Sequence, residues 1–418
     1  MKSLKINTIL NMIKTCSNII FPLITFPYIS RVLMTENVGK VNFGDSYVSY
    51  FSLIASLGIT TYAIRECAKV RDNREKLEET ASQIFSINLC TTGLAYVLLF
   101  LSLIIFRRLD VYRNLIMIQS VVIIFTTLGA DWLNSAMEDF KYITIRSIIF
   151  QIISMILMFT FVKSTSDYMK YAAISVLSTS GYNILNIVYR KKYCDIQFTL
   201  NIPWKKHMIP ILLLFVMTLS QTIFNSSDIT MLGFFKGDYA VGIYSTLYTV
   251  SSLSLMLWQA IHASFVPYLF QNIESNVKGI KRISSQIMLL YAVMAVMMTY
   301  MAPEIVRILA TEEYYEAIYI MPPIAAGVFF TAFANIYSDI AVYYKKTQYV
   351  MYPAVIAAVA NLVLNYIFIN AYGYMAAAYT TLFSYILMAL FQGIWARKLC
   401  KENGIAESSV FEDRKLIL

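Results

Sequence analysis

Residues 9–34 read ILNMIKTCSNIIFPLITFPYISRVLM, with Lys14 and Arg31 as the only charged side chains. A helix rises about 1.5 Å per residue and about 20 mostly apolar residues cross a hydrocarbon core, so this run can span a bilayer. Lipid gives backbone N–H and C=O groups no partner, which makes a run of this length a helix. Barrel strands would instead be roughly ten residues long and alternate in polarity.

Eleven further runs of the same kind follow: Val38–Ala63, Ser82–Phe106, Asn114–Ser135, Thr144–Val162, Tyr168–Val188, Met208–Phe235, Tyr239–Phe265, Ser284–Leu309, Ile318–Tyr344, Tyr349–Asn370 and Met375–Trp395. Composition agrees: 58% of residues are apolar, 14% are charged and the mean hydropathy is +0.60. The expected class is an all-α integral membrane protein with about 12 transmembrane helices.

Short cytoplasmic loops retain Lys and Arg. With a cytoplasmic N-terminus, the inner segments hold 24 of them and the outer segments 9, so both termini are expected inside; Phe106–Arg113, with three arginines, departs from the bias. The net charge of +9 is then topological and faces anionic lipid, without a nucleic-acid partner. Cys16, Cys67, Cys90, Cys194 and Cys400 are scattered without CxxC or Cys/His spacing, which suggests neither a metal site nor a disulfide framework. No cleavable leader is evident after Met1–Asn7, and the first helix is expected to direct its own insertion.

Laid on itself at an offset of 203 residues, the chain sets Ser17–Phe21 on Ser220–Phe224, Val38-Gly39 on Val241-Gly242, and Ser49 on Ser252. The same offset superposes the first helix on the seventh and the second on the eighth. Six helices separate the copies, so they share one orientation, as in parallel repeats about an axis along the membrane normal. The expected organisation is a six-helix bundle over residues 1–200, a second over 201–396, and a cytoplasmic tail over 397–418, with the basic loop Arg190–Lys206 as connector.

Polar side chains inside these spans are costly and tend to face a bundle interior or a watery path. Gln221, Asn225 and Asp228 recur at helical spacing on one face, as do Lys14, Asn18, Thr25 and Tyr28 on the first helix. Asn42, Asp45, Ser49 and Ser52 continue the pattern, and Ser245, Tyr248 and Ser252 answer it in the second half. Two readings stand for the hydroxyls and amides: a polar lumen, or hydrogen-bonded glue between helices. Lys14 either faces that lumen or snorkels to the interface. Arg31 and Arg65 lie at helix ends where topology alone accounts for them, and Arg307 follows Glu304 at ion-pair spacing. Arg146 and Lys141 stand at the mouth of the fifth helix. His262 fits core packing better than a proton relay.

No phosphate loop, HExxH or nucleophile elbow occurs, and no soluble domain of 100 residues is present, so the chain is not expected to be an enzyme or to need a cofactor or metal. No TVGYG-like filter supports a potassium channel.

Phe21–Leu33 (FPLITFPYISRVL) with Val38-Gly39, Asp131-Trp132-Leu133 with Phe140–Arg146, Asp228–Gly233 with Val241–Ser245, Ala302–Leu309, Asn361–Asn365, and Gly373 with Ala376–Ala378 occur in that order. Over about residues 15 to 390 the chain resembles the bacterial polysaccharide repeat-unit flippases of the O-antigen translocase type. These belong to the superfamily of multidrug, oligosaccharidyl-lipid and polysaccharide exporters. It departs from them at Thr35-Glu36, where a Gly-Pro pair is common, and before Glu138, where an aromatic-rich Gln-Gly form is usual.

The resemblance implies translocation of an undecaprenyl-diphosphate-linked oligosaccharide from the cytoplasmic to the outer leaflet of the bacterial plasma membrane, for O-antigen or capsule synthesis. It brings a polysaccharide polymerase and a chain-length regulator into view as partners. On that reading Lys14, Arg31, Arg65 and Arg146 are candidate contacts of the diphosphate and headgroup. Asn18, Asn42, Gln221 and Asn225 are candidates for sugar hydroxyls, and Asp45 and Asp228 for coupling or gating, ion coupling being an open hypothesis. The rival readings are a multidrug or cation exporter of the same superfamily, which would favour an acidic, aromatic cavity, and a membrane-embedded glycosyltransferase or polymerase, which would need a large polar outer loop.

Overall fold

The computed structural model describes residues 2–403, and every regular element among them is helical. In chain order the helices are α1 (Lys2–Ser56), α2 (Ile59–Val70), α3 (Arg74–Ile105), α4 (Arg113–Gly129), α5 (Trp132–Ala136), α6 (Phe140–Phe161), α7 (Tyr168–Val176), α8 (Tyr182–Tyr189), α9 (Trp204–Lys236), α10 (Asp238–Asn272), α11 (Val277–Tyr300), α12 (Ala302–Leu309), α13 (Met321–Tyr343) and α14 (Gln348–Glu402). The far end of the expected tail, 404–418, lies outside the described residues.

Eight stretches among the described residues are long and apolar enough to cross a membrane. Two of them, Met12–Val70 with 59 residues and Gln348–Glu402 with 55, exceed twice the crossing length of about 20. Each contains a backbone break: Met34 at φ 62°, ψ 173° in α1 and Gly373 at φ 60°, ψ −139° in α14. The chain is therefore a multi-pass, all-helical membrane protein. Its outer surface fits this solvent, since Ile104, Ile105, Val188, Leu289 and Val296 are 65–72% exposed.

The 203-residue offset reappears in backbone geometry. Met34 falls on Gly237, which joins α9 to α10 at φ 86°, ψ −176°, so the two copies turn between their first and second helices with the same rare conformation. Other expected spans are interrupted. Tyr168–Val188 is α7 and α8 joined by a single π turn, Leu177–Gly181. Val38–Ala63 bends at Leu57 and Gly58, whose φ values are 42° and 74°. A Cβ on Gly58 would sit 2.9 Å from Leu214 Cβ, so only glycine lets α9 pass this close.

The chain divides into two compact units, Met1–Phe234 and Phe235–Leu418. In the first, Tyr62, Cys67, Ile84, Trp132, Leu133, Cys194 and Ile211 form a buried core. In the second, Leu269, Tyr291, Val328, Ala332, Ile340 and Ala396 do so. Almost all of α9 belongs to the first unit, because it packs there along its length, from Ile211 in that core to Gly233 against the Phe43 ring. The boundary expected from the sequence, between residues 200 and 201, lies instead just before the start of α9.

Candidate substrate cavity

Inside the first unit lies a cavity of about 520 Å³, within the usual range for small-molecule sites. Ser49, Ser52 and Ser56 line it from one face of α1, Asn88 from α3, Thr126 and Thr127 from α4, Tyr182 and Asn183 from α8, and Thr218, Gln221 and Thr222 from α9. Several hydroxyls donate to their own helix: Ser56 to Leu53 O at 3.2 Å, Thr126 to Val122 O at 2.7 Å, and Thr218 to Leu214 O at 3.2 Å. A hydroxyl that spends its proton this way keeps acceptor lone pairs, so the wall accepts hydrogen bonds from a polyhydroxylated guest.

The end of the cavity is shaped by an early stop of α4. Ala130 takes φ 47° there, and the carbonyls freed at the helix end need partners. Arg190 Nη1 donates to Leu128 O at 2.6 Å and Asn186 Nδ2 to Gly129 O at 2.5 Å. Asn134 Nδ2 then donates to Asn186 Oδ1 at 2.6 Å and to Asp131 Oδ1 at 3.1 Å. These bonds turn Asp131, Trp132 and Ser135 into the cavity wall, where the sequence reading had continued the helix to Ser135. Gly129 is required for the approach of α8, since a Cβ there would lie 2.6 Å from Asn183 Cγ.

Behind Asp131 stands Arg146, whose side chain is 3% exposed and whose Nη2 donates to Asp131 Oδ1. Its guanidinium lies between the rings of Tyr142, 5.0 Å from Cζ to centroid, and Tyr182, at 4.6 Å. Arg146 Nε and Nη1, Trp132 Nε1, Asn134 Oδ1 and Asn183 Oδ1 are buried and find no hydrogen-bond partner in the protein. Buried polar atoms are normally satisfied, so this cluster beside the cavity is unusual for a protein interior.

Lys14 joins this end through helix register. Thr144 Oγ1 donates to Leu10 O at 3.1 Å and Gln151 Nε2 to Asn18 Oδ1 at 2.8 Å, tying α6 to α1 one turn either side of Lys14. The half-buried ammonium is within electrostatic reach of Asp131 and Arg146. Asn18 thus serves the α1–α6 seam in this structure. Gln221 is exposed in the cavity wall. Asn42 is half-buried, Asp45 exposed with Tyr171 as an electrostatic neighbour, and Asp228 buried near Tyr50. Arg31 is exposed and donates through Nη1 to Pro27 O at 2.9 Å; Arg65 is exposed, paired with Glu66 at 3.0 Å and set over the Tyr62 ring. Neither lines the cavity. The Asn225 side chain lies outside the described residues. Asp131, Trp132, Tyr182 and Asn183 were absent from the expected site, although Asp131-Trp132 stood among the resembling motifs.

Outside the spans, Asp139 holds the base of α6. Partial burial pushes its carboxyl upward, but hydrogen bonds from Tyr193 and Tyr189, the Tyr142 N–H and the Lys192 charge outweigh this and hold it below the ordinary carboxylate range. Tyr189 and Tyr193 donate to Oδ2 at 2.7 and 2.5 Å, and the Tyr142 and Tyr189 rings stack at 3.5 Å. Arg146 is carried two turns further along the same helix.

Residues 4–273 match the polysaccharide biosynthesis protein family, and residues 214–367 match MatE. A protein of Escherichia coli (strain K12) named for O-antigen transport is 23% identical over 344 residues, covering 80% of this chain and 82% of that one. Among solved structures, the lipid II flippase MurJ in an inward closed conformation superposes with a TM-score of 0.66 at 15% identity over 94% of this chain and 87% of its own. An inward-facing multidrug resistance transporter of the MATE family superposes with a TM-score of 0.63 at 13% identity over 93% and 99%. The fold is that of these transporters, and the chain belongs to the polysaccharide biosynthesis protein family.

Proposed function

We propose that this protein moves an undecaprenyl-diphosphate-linked oligosaccharide from the cytoplasmic to the outer leaflet of a bacterial plasma membrane, feeding the polymerisation of a surface polysaccharide. The observation that carries this reading is the cavity of the first unit, walled by hydroxyls and amides, whose lining Asp131 is backed by Arg146 with Lys14 within electrostatic reach. Sugar hydroxyls suit the lone pairs of the wall. A diphosphate suits a guanidinium beside a second cation. Translocation proceeds by alternating access of two six-helix halves, twelve crossings in all, with both termini cytoplasmic. Asp45 and Asp228 are the carboxylates assigned to coupling or gating.

The cation-exporter reading is less well supported by the same cavity, because its one lining carboxylate, Asp131, is already paired with Arg146. Deletion of the gene should leave lipid-linked oligosaccharide on the cytoplasmic face, cleared by wild type and not by Arg146→Ala. Since Arg146 is buried, Gln221→Ala provides a milder variant, with clearance slowed several-fold and protein level unchanged. Normal clearance in both variants, or altered drug tolerance without accumulation, would overturn the assignment.

A further inference from the structure

The break of α1 at Met34, the helical turn Arg107–Tyr112 and the turn Thr165–Asp167 meet at one end of the first unit. Asn37 Nδ2 donates to Thr165 O at 3.0 Å, the Phe43 and Tyr112 rings lie 4.7 Å apart, and Val41, Leu115 and Ala172 share a buried cluster. The carboxylates of these segments are each spent on a nearby cation: Glu36 on Lys40 at 3.0 Å, Asp110 on Arg113 at 2.8 Å and Asp167 on Lys170 at 2.7 Å. Asp167 Oδ2 also accepts from the N–H groups of Lys163 and Ser164, at 3.0 and 2.9 Å. Among the described residues, Arg107, Arg108 and Lys163 are exposed at this rim and enter no ion pair.

Apolar side chains frame these cations. Ile105 and Phe106 are 68% and 52% exposed just before Arg107, Val111 is 75% exposed one turn on, and Phe161 is 54% exposed before Lys163. Leu109 is fully buried and pins the turn, so Arg107 and Arg108 project from a fixed segment. Cations above an apolar collar suit the boundary between acyl chains and headgroups. On the proposed orientation, with both termini cytoplasmic, this end faces outward, where Lys and Arg are normally scarce. We infer that Arg107 and Arg108, with Lys163 on the same rim, bind the phosphates of anionic phospholipid in the outer leaflet. A guanidinium meets a phosphodiester through paired N–H donors. An acidic protein would match the charge alone; a lipid matches the charge and, through its acyl chains, the exposed Phe106, Val111 and Phe161 as well.

Lipid binding is tested without any transport assay. The full chain with Val111→Cys, and with the exposed Cys16 and Cys90 replaced by Ser, is labelled with a fluorophore at position 111 and placed in phosphatidylcholine vesicles. Quenching by spin-labelled phosphatidylglycerol, compared with spin-labelled phosphatidylcholine, reports which lipid sits at this rim. Each interfacial cation contributes about five-fold to binding of anionic lipid, so phosphatidylglycerol should be preferred by about ten-fold or more. Arg107→Gln with Arg108→Gln should remove most of that preference. Lys205→Gln with Lys206→Gln takes the same charge from exposed positions at the start of α9 and should leave it within about two-fold. A preference that survives the arginine substitutions, or falls equally in both variants, overturns the site. Displacement of phosphatidylglycerol by soluble poly-glutamate at equimolar concentration would assign the arginines to an acidic protein and overturn the lipid.

The leaflet is tested in intact cells making the same Val111→Cys chain. A membrane-impermeant maleimide should label position 111 from outside. Labelling only after the membrane is opened would put the arginines on the cytoplasmic face, where they follow the ordinary charge bias, and would overturn the outer-leaflet assignment.

Discussion

Met34 shows how a single residue can carry a cost that its sequence context hides. At φ 62°, ψ 173° it occupies a region that glycine alone enters easily, and its repeat mate Gly237 does so at φ 86°, ψ −176°. Strain of this kind costs on the order of 1–3 kcal/mol, partly offset on substitution by the greater chain entropy of glycine and by loss of the Met34 side chain. Met34→Gly should therefore stabilise the protein by about 1 kcal/mol, read as a rise of a few degrees in the melting midpoint in detergent. A fall would mean that the side chain contributes more than the backbone loses. The departure at Thr35-Glu36 already hinted at an unusual turn, but the dihedral of Met34 had no signature in the residue types. Arg146 is the converse case: its place in the chain nominated it, yet its burial between two tyrosines came only from the packing of α6 and α8.

Among the elements, α6 illustrates how a capping group outside the membrane sets a side chain within it. Asp139 accepts from the Tyr142 N–H at 3.2 Å and joins the helix start to Tyr189 and Tyr193 at the end of α8. Its folded-state pKa lies below its unfolded value, so its contribution is complete above the unfolded value near 3.9 and is lost as pH falls through the folded one. Asp139→Asn should lower stability by about 1 kcal/mol at pH 7, a figure kept small by partial exposure, and the gap from wild type should close toward pH 3. A gap that stays constant with pH would assign the loss to packing. The elements themselves were largely legible, because apolar runs of helical length leave lipid-exposed chain no other regular form. Their interruptions were not: the π turn at Leu177–Gly181 had no signature in the residue types, and the early stop of α4 depends on partners more than fifty residues away in the chain, Asn186 for Gly129 O and Arg190 for Leu128 O.

At the scale of the whole molecule, α1 and α9 are fastened by hydroxyls. Ser46 Oγ donates to Ser226 O at 2.7 Å and pairs with Thr230 Oγ1 at 2.6 Å, while Ser49 Oγ donates to Ser226 Oγ at 2.9 Å. Beyond them Gly233 admits the Phe43 ring. Small residues let helices meet closely in lipid, and neutral hydroxyl pairs can be parted at modest cost. If transport requires this seam to open, Ser46→Cys with Thr230→Cys, in a background where the exposed Cys16 and Cys90 are Ser, should lose most translocation on oxidation and regain it on reduction. Unchanged translocation in the cross-linked protein would show that the seam is permanent. The sequence by itself determined the solvent and the class of fold, because apolar runs of this length demand helices in lipid. Only tertiary structure decided which polar residues meet. Asn18 turned to the α1–α6 seam, Arg31 to a carbonyl of its own helix, and Gln221 to the cavity. The choice depends on helix rotation and register, which are set by contacts between residues far apart in the chain.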